Sequence, residues 1–381
     1  MNWENLVGQE KVKIKLQESI RENRVSHAQL FTGENGWGTL HLAIAYAAEI
    51  LASEKGDEVK SKVESLQHPD IHFSFPVTST EKVKNPTSNH FIKEWRSFIL
   101  ENPHGSLYDW LEFNEVEKKQ GTVNVHEAQE IVKFLSLNSF EGSYKFCVIW
   151  LPEMMNTAAA NKLLKVIEEP PQKTIFLLVC EREDLLLPTI ISRCQIVKLN
   201  RLSDDEVANY LVKEKGLSQS NAYQIAVASN GNLYEALQNI SSSYDEFEMY
   251  FVQWVRNAFM AAKKPVVLKQ LVAWSNQLSS WPREKQKQFL SYCSEIFRQA
   301  LLKNYQADSL VYMQLGAEGF NWDKFAPFIH GANIEALLDE INTASYHIER
   351  NANAKIVLLD LSIKLTRHLH KKAQTLPASK V

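Results

Sequence analysis

Three glycines, Gly33, Gly36 and Gly38, stand in the segment GENGWGTL at residues 33–40. An apolar run precedes this segment and an Ala- and Leu-rich run follows it, so the segment is predicted to join a strand to a helix. At such a junction, backbone N–H groups and a helix N-terminus can hold the phosphates of a nucleotide. The working pattern reads G-x-x-x-x-G-K-[ST], in which Lys grips the β and γ phosphates and the hydroxyl holds Mg²⁺.

Two of the four defining residues of that pattern are replaced here. Thr39 stands at the Lys position and Leu40 at the Ser/Thr position. The phosphate-gripping charge and the magnesium-binding hydroxyl are therefore both lost. Glycines also suit an ordinary strand-to-helix turn, because they adopt backbone angles that other residues avoid. The loop is predicted to be such a turn, and no cofactor is expected.

The predicted strand that ends at residue 151 also lacks residues that an active ATP site needs. In a phosphate-loop ATPase this strand would end in acidic residues that hold magnesium and position water. It ends instead in Trp150 and Leu151, and the next acid is Glu153. One carboxylate on the following turn cannot fill both roles. Glu153 is expected to be a solvated side chain near the start of the next helix.

Two further candidate sites are weak when they are judged from the residues alone. Arg193, between Ser192 and Cys194, is expected to be a surface charge or half of an ion pair. His68 and His72 flank a proline, which prevents a helix from holding them four residues apart. Since no third ligand is evident nearby, no metal site is predicted.

Composition limits the class of protein to which these residues belong. The chain has 381 residues and a net charge of −3, so no overall positive field draws it to nucleic acid or anionic lipid. Its 13 glycines and 12 prolines are roughly half the usual share, which favours a helical or α/β protein. The four cysteines are too scattered for disulfides or zinc. The N-terminus lacks a signal-peptide core, so a cytoplasmic location is expected.

Short apolar runs alternate with amphipathic stretches through the first 200 residues, the rhythm of a parallel sheet covered by helices. Strands are predicted at 27–32, 71–77, 146–151, 174–180 and 195–199, and helices at 39–53, 89–101, 125–137 and 157–169. The strand signal then stops, and Ser203 with Glu206 predicts a capping box. The predicted fold class is α/β followed by all-α, with domains at 1–200, 201–242 and 243–381.

Five short motifs are spread over about residues 5 to 240. They are Gly8-Gln9, SHA at 26–28, NKLLKVIEEPP at 161–171, FLL at 176–178 and SRCQ at 192–195. This series resembles the signature of the bacterial clamp-loader AAA+ family, and within it the delta-prime type of subunit. The LLKxxEEPP and SRC elements are specific, whereas the last third of the chain resembles the family mainly in its helical character.

The resemblance implies an AAA+ domain with a P-loop-type parallel sheet, a small helical lid, and a C-terminal helical domain that joins a collar in a pentameric ring. It also implies a role in replication within DNA polymerase III. The partners would be the ATP-binding gamma/tau subunits, the delta subunit, the sliding clamp and primed DNA. Because the delta-prime type has a decayed ATP site, no enzymatic activity of its own is expected.

Other positions of the family's ATP site also depart from active relatives. The first sensor positions, Thr or Asn in active relatives, are Cys180 and Glu181 here, and Tyr234 stands at the second-sensor Arg of the lid. Many relatives carry a four-cysteine zinc module where this chain has residues 51–69. That interval contains no cysteine, so no zinc is predicted.

The SRC arginine is the exception to these losses. In clamp loaders this residue is an arginine finger, which reaches across an interface to the γ-phosphate bound by a neighbour. The resemblance therefore implies that Arg193, flanked by Ser192 and Cys194, acts in trans on a neighbouring subunit's ATP.

Two alternatives stay open at this point. An active AAA+ ATPase with an atypical loop would bind nucleotide as an isolated chain. An interaction scaffold outside replication would not associate with gamma/tau subunits. Some lysines could contact DNA phosphate, although such residues usually lie on solvated faces: Lys82, Lys84, Lys93, Lys162 and Lys165.

Overall fold

The computed structural model describes residues 2–81, 83–117, 119–141, 144–240, 243–311, 313, 315–316 and 320–372. The chain divides into two compact units, Met1–Leu237 and Gln238–Val381. The predicted boundary at residue 200 falls inside the first unit, and the division into three domains stays a prediction.

The first unit contains a five-stranded sheet. Its strands are β1 (Ala28–Thr32), β2 (Ile71–Ser74), β3 (Lys145–Trp150), β4 (Thr174–Cys180) and β5 (Gln195–Lys198). They lie in the order β2-β3-β4-β1-β5, and each neighbouring pair is parallel. The second strand is shorter than predicted because the N–H of Phe75 donates to Ser88 Oγ at 3.0 Å instead of continuing the ladder.

Helices surround this sheet and continue after it. They are α1 (Glu10–Arg21), α2 (Thr39–Lys55), α3 (Glu58–Glu64), α4 (Ile92–Glu101), α5 (Leu107–Phe113), α6 (Val125–Ser136), α7 (Thr157–Glu168), α8 (Pro188–Ile191), α9 (Asp204–Lys215), α10 (Gln219–Ala228) and α11 (Leu233–Ile240). The capping box that opens α9 is confirmed, because Glu206 N–H donates to Ser203 Oγ at 3.2 Å and Glu206 Oε2 accepts the Ser203 N–H at 2.7 Å. Four helices of this unit, α1, α3, α5 and α8, were not predicted.

The core of the first unit lies on both faces of the sheet. Side chains of β4 alternate between the faces: Ile175, Leu177 and Val179 pack with α2, whereas Phe176 and Leu178 pack with α6 and α7. A parallel strand that is covered on both sides needs apolar residues at every position. This requirement explains the uninterrupted apolar runs in the sequence. The helices that follow β5 have a smaller core of their own.

The regular secondary structure in the described part of the second unit is all helical, as predicted. Its helices are α12 (Ser243–Ala261), α13 (Leu268–Leu278), α14 (Arg283–Asn304), α15 (Trp322–Phe325), α16 (Ile334–Glu349) and α17 (Ala354–Leu369). Trp254 and Trp274 stack at the centre of its core with ring centroids 5.1 Å apart. The indole N–H of Trp254 donates to Ser362 Oγ at 2.9 Å. The predicted fold class, α/β followed by all-α, is confirmed.

A helix that crosses a membrane is long and apolar. Among the described residues, no helix meets that requirement.

Candidate functional site

The glycine loop at residues 33–38 connects β1 to α2, as predicted. Gly36 and Gly38 have φ angles of +90° and +85°, a backbone region that glycine adopts without steric cost. The carbonyl of Gly38 accepts the N–H of Leu42 at 2.9 Å. Helix α2 therefore begins directly behind the loop, and no side chain caps its first turn.

The first two residues of α2 are buried against the protein. Thr39 and Leu40 are only 6% and 7% exposed, and Thr39 Oγ1 has no hydrogen-bond partner among the described residues. The cleft over them has a cavity volume of about 20 Å³. One water needs about 10–15 Å³ of such space, whereas pockets for small ligands measure roughly 300 Å³ or more. The open space over Thr39 and Leu40 is thus close to that of one water and far below that of a small-ligand pocket.

The start of α11 fills the space above the loop. A Cβ atom added to Gly36 would collide with Asn232 Oδ1 and lie 2.6 Å from the backbone nitrogen of Tyr234. The N–H of Leu233 points to the Gly36 carbonyl at 3.4 Å. Glycine at position 36 thus allows residues 232–234 to rest directly on the loop.

Tyr234, at the predicted second-sensor position, attaches α11 to α5. Its hydroxyl lies 3.1 Å from Ser106 Oγ and 3.4 Å from Asp109 Oδ1. Burial raises the pKa of Tyr234 well above its usual value, and the nearby charge of Asp109 adds to this. The hydroxyl is therefore a neutral hydrogen-bonding group that ties the two helices together.

His104 closes another side of the cleft. It is 7% exposed, and its ring meets the ring of Tyr210 edge to face with centroids 5.8 Å apart. Burial lowers the pKa of His104 to about 4, with a smaller contribution from the charge of Lys215. The ring is neutral at pH 7. Sequence reasoning missed His104, because neither its spacing nor its neighbours form a motif.

The end of β3 is apolar, as the sequence indicated. Trp150 and Leu151 are 3% and 1% exposed. The N–H of Leu151 donates to the Val179 carbonyl at 2.9 Å, and the Trp150 ring packs beside Trp95. Across the part of the chain that the structure describes, no cluster of His, Cys, Asp and Glu is arranged to hold a metal.

The predicted solvated position of Glu153 is wrong. Its Oε1 accepts the backbone N–H groups of Glu181 at 2.8 Å and Arg182 at 3.0 Å. Burial raises the pKa of Glu153 even though these hydrogen bonds oppose the shift. Burial, and then the charge of Glu153, also raise the pKa of the Cys180 thiol. Glu153 therefore holds the chain that follows β4, a role hidden from the sequence because its partners are backbone groups.

Arg193 lies nearer the surface than the residues of the cleft, and its side chain is 31% exposed. Nε and Nη2 both lie 2.9 Å from one oxygen of Glu168, Oε2. Nη1 donates to the Thr189 carbonyl at 2.9 Å. The expectation of a surface charge in an ion pair is confirmed, and its partner is the last residue of α7, within the EEPP motif.

The two neighbours of Arg193 shape the turn between α8 and β5. Ser192 Oγ donates to the Thr189 carbonyl at 3.2 Å. Cys194 is half-buried, and burial raises the pKa of its thiol to about 11, so the thiol stays protonated at neutral pH. Arg193 is the charged group of this turn.

His68, which precedes β2, and His72, within β2, contact different carboxylates. His68 Nε2 lies 3.3 Å from Glu141 Oε2, and His72 Nε2 lies 3.0 Å from Glu127 Oε1. The Glu127 side chain is fully buried and also accepts the Ser88 N–H at 2.6 Å. This arrangement packs the strand and its following loop together.

Four of the five lysines considered for DNA contact, Lys84, Lys93, Lys162 and Lys165, are exposed. Lys82 lies outside the described residues. Exposure suits both a solvated face and a phosphate contact, so DNA binding by these residues stays a prediction.

Comparison with known proteins identifies similar sequences. The model of the family described as "DNA polymerase III, delta subunit" matches residues 8–203. The DNA polymerase III subunit delta' of Bacillus subtilis (strain 168) is 29% identical over 238 residues, 61% of this chain and 58% of that protein. The subunit tau of the same organism is 27% identical over 252 residues, 64% of this chain and 38% of that protein. The chain thus spans less than two thirds of the length of either relative.

A solved structure is also similar. It is a DNA polymerase III gamma subunit-related protein from Thermotoga maritima, with 14% sequence identity and a TM-score of 0.35. The alignment covers 93% of this chain and 99% of that protein.

Proposed function

The chain belongs to the family of DNA polymerase III delta subunits, as a member of the delta-prime type, and from this premise we propose that it is a non-hydrolysing subunit of the clamp loader. It works in the cytoplasm with the gamma/tau and delta subunits in a complex that places the sliding clamp on primed DNA. The neighbours bind the ATP. Arg193 of this chain completes the ATP site of one neighbour.

The closed state of the glycine loop carries the first part of this proposal. A cavity of about 20 Å³ remains over Thr39 and Leu40, and residues 232–234 rest on Gly36. The loop lacks the Lys that grips phosphates and the hydroxyl that holds magnesium. Both the missing groups and the filled space argue against hydrolysis by this chain.

The exposure and the hydrogen-bonding capacity of Arg193 support the second part. A guanidinium group is planar, permanently charged and suited to binding phosphate through two N–H groups. Arg193 is 31% exposed, and the contacts at Nε, Nη1 and Nη2 engage three of its five N–H groups. A charged group that keeps free donors at the surface can reach a ligand held by another chain.

The remaining part of the proposal concerns assembly and rests on the second unit. Its described residues form helices around one apolar core. We propose that residues 243–381 are the collar domain through which the chain joins the hetero-oligomer, and that residues 201–242 are the lid of the AAA+ domain.

The test is reconstitution of the loader with gamma/tau and delta, with a single competent ATP site beside this subunit. Arg193→Ala should lower hydrolysis at that site by about 10³-fold, the lower end of the effect of such fingers, and should reduce clamp loading. Arg182→Ala is the matched control, because Arg182 also pairs with a surface carboxylate, Asp184, at 2.8–2.9 Å. Unchanged hydrolysis with Arg193→Ala would contradict the proposal.

A further inference from the structure

We propose that Glu168 is the positioning residue of Arg193, which holds the guanidinium in one orientation before a neighbour's nucleotide arrives. This inference rests on the proposed function of Arg193. It assigns a role to the EEPP glutamate that ends α7.

The contacts of Arg193 fix the plane of its guanidinium group. Two nitrogens along one edge, Nε and Nη2, lie 2.9 Å from Glu168 Oε2. The third nitrogen, Nη1, donates to the Thr189 carbonyl, which belongs to a different helix. Anchors on α7 and α8 restrain the group from two directions, so rotation about the long side chain is limited.

The same contacts leave suitable donors free. The guanidinium has five N–H groups, and three of them face Glu168 and Thr189. One N–H on each terminal nitrogen then has no partner within the described part of the chain. Arg recognises phosphate through such pairs of N–H groups. Glu168 can therefore stay bound on one edge while a phosphate oxygen binds the free donors.

Stability does not explain why this ion pair is present. The Glu168 side chain is 54% exposed and that of Arg193 is 31% exposed, and ion pairs this accessible to water contribute little to folding. Arg side chains have much rotamer freedom, which is lost when they bind. Because Glu168 has already restricted that freedom, less is lost when the finger reaches the transition state.

The helix end makes Glu168 a firm support. Ile167, directly before it, is fully buried in the core under the sheet, and Pro170 and Pro171 follow the helix. Glu169 is also exposed, and no ion pair or hydrogen bond of its side chain occurs among the described residues. Both adjacent glutamates are exposed, and of the two only Glu168 contacts Arg193 in the described residues, so they form a matched pair for experiment.

The experiment uses the reconstituted complex with one competent ATP site, and measures kcat and KM for ATP. Glu168→Ala should lower kcat about tenfold and leave KM unchanged, because ATP is held by the neighbour. Glu168→Gln keeps an acceptor oxygen and should restore most of kcat. Glu169→Ala should match the unaltered complex. In an Arg193→Ala background, Glu168→Ala should cause no further loss.

Three results separate this inference from the proposed function. If Arg193→Ala lowers kcat and Glu168→Ala does not, the finger stands and the positioning role is overturned. If Glu168→Ala raises kcat, the carboxylate restrains the finger and the inference is also overturned. If Arg193→Ala itself has no effect, the proposed function fails. Assembly of each variant, measured by co-elution, should match the unaltered complex, and loss of assembly with Glu168→Ala would assign the residue a structural role instead.

Discussion

The glycine loop and the turn around Arg193 lie in the same unit, and their surroundings are opposite. At the loop, Thr39 and Leu40 are buried and residues 232–234 fill the space over Gly36. At the turn, Arg193 stays 31% exposed and is bound by one surface carboxylate. The loop is covered by contacts within the chain, whereas the turn keeps a charged group accessible.

This difference separates groups that act in folding from groups that act on a partner. Contacts that seal the loop are buried, so their removal should lower the free energy of unfolding. An exposed ion pair adds little to that free energy. Substitutions in the two regions should therefore affect different measurements, stability for the loop and activity of the complex for Arg193.

The largest expected effect on stability concerns His104 and pH. The unfolded state binds a proton at an ordinary pKa of 6.5, and the folded state binds it only near pH 4. Stability from this residue is therefore full above pH 6.5 and falls by roughly 3 kcal/mol as the pH drops through about 4. His104→Phe keeps the ring contact with Tyr210 and should remove this loss, as measured by urea unfolding between pH 7 and pH 4.

His41 provides an internal reference for that experiment. Burial also lowers its pKa to about 4, and the charge of His104 makes a smaller contribution to that shift. Because His41 is present in both proteins, the part of its effect that comes from burial cancels in the comparison. If the two proteins lose stability equally on acidification, the cleft beside His104 is open to water and the sealed-loop account is wrong.

The contact between the loop and residues 232–234 can be tested with a pair of glycines. Gly36 and Gly56 have φ angles of +90° and +87°, but a Cβ would collide at Gly36 and meet nothing within 4 Å at Gly56. Replacing Gly56 by Ala should cost about 1 kcal/mol from backbone strain alone. Replacing Gly36 by Ala should cost about 2–3 kcal/mol, because the collision adds to that strain. Equal losses in chemical denaturation would show that the helix start does not rest on the loop.

A smaller effect is expected at Tyr234. Tyr234→Phe removes the hydroxyl that lies beside Ser106 and Asp109, which should lower the free energy of unfolding by about 1 kcal/mol. Tyr223→Phe is the control on α10, since that side chain is 47% exposed and makes no hydrogen bond in the described residues. If the two variants unfold at the same urea concentration, the Tyr234 hydroxyl does not fasten α11 to α5.

The smallest effect on stability is expected at Arg193. Arg193→Ala breaks an exposed ion pair with Glu168, and its free energy of unfolding should stay within about 0.5 kcal/mol of the unaltered protein. The same substitution should greatly reduce hydrolysis in the complex. A loss of stability comparable with that of Gly36→Ala would make Arg193 a structural residue and remove the contrast between the two regions.

Much of the fold could be predicted from the sequence, because parallel strands that are covered on both faces appear as uninterrupted apolar runs. The fourth strand, Thr174–Cys180, has the predicted bounds. The second strand ends early because Phe75 bonds to the side chain of Ser88, which no pattern indicates. Helix α3 was missed because the polar interval shows only two buried apolar residues, Val59 and Val63.

The candidate site also has features that the sequence predicts and features that it does not. The replaced residues of the loop could be predicted because a motif fixes which side chains must be present. The residues that cover the loop could not be predicted, since Gly36 and Tyr234 meet only when distant parts of the chain pack together. The partners of Glu153 and Arg193 were hidden for the same reason. A motif indicates which groups are lost, but packing determines what takes their place.

This chain has the strand, glycine loop and helix of an ATP site, and we propose that it does not bind ATP there. Equilibrium titration of the isolated protein with labelled ATP and Mg²⁺ tests it most directly. The filled cleft predicts no saturable binding up to millimolar nucleotide. Saturable binding at micromolar concentrations, displaced by unlabelled ATP, would contradict the claim and show that residues 232–234 move away from a loop that still works.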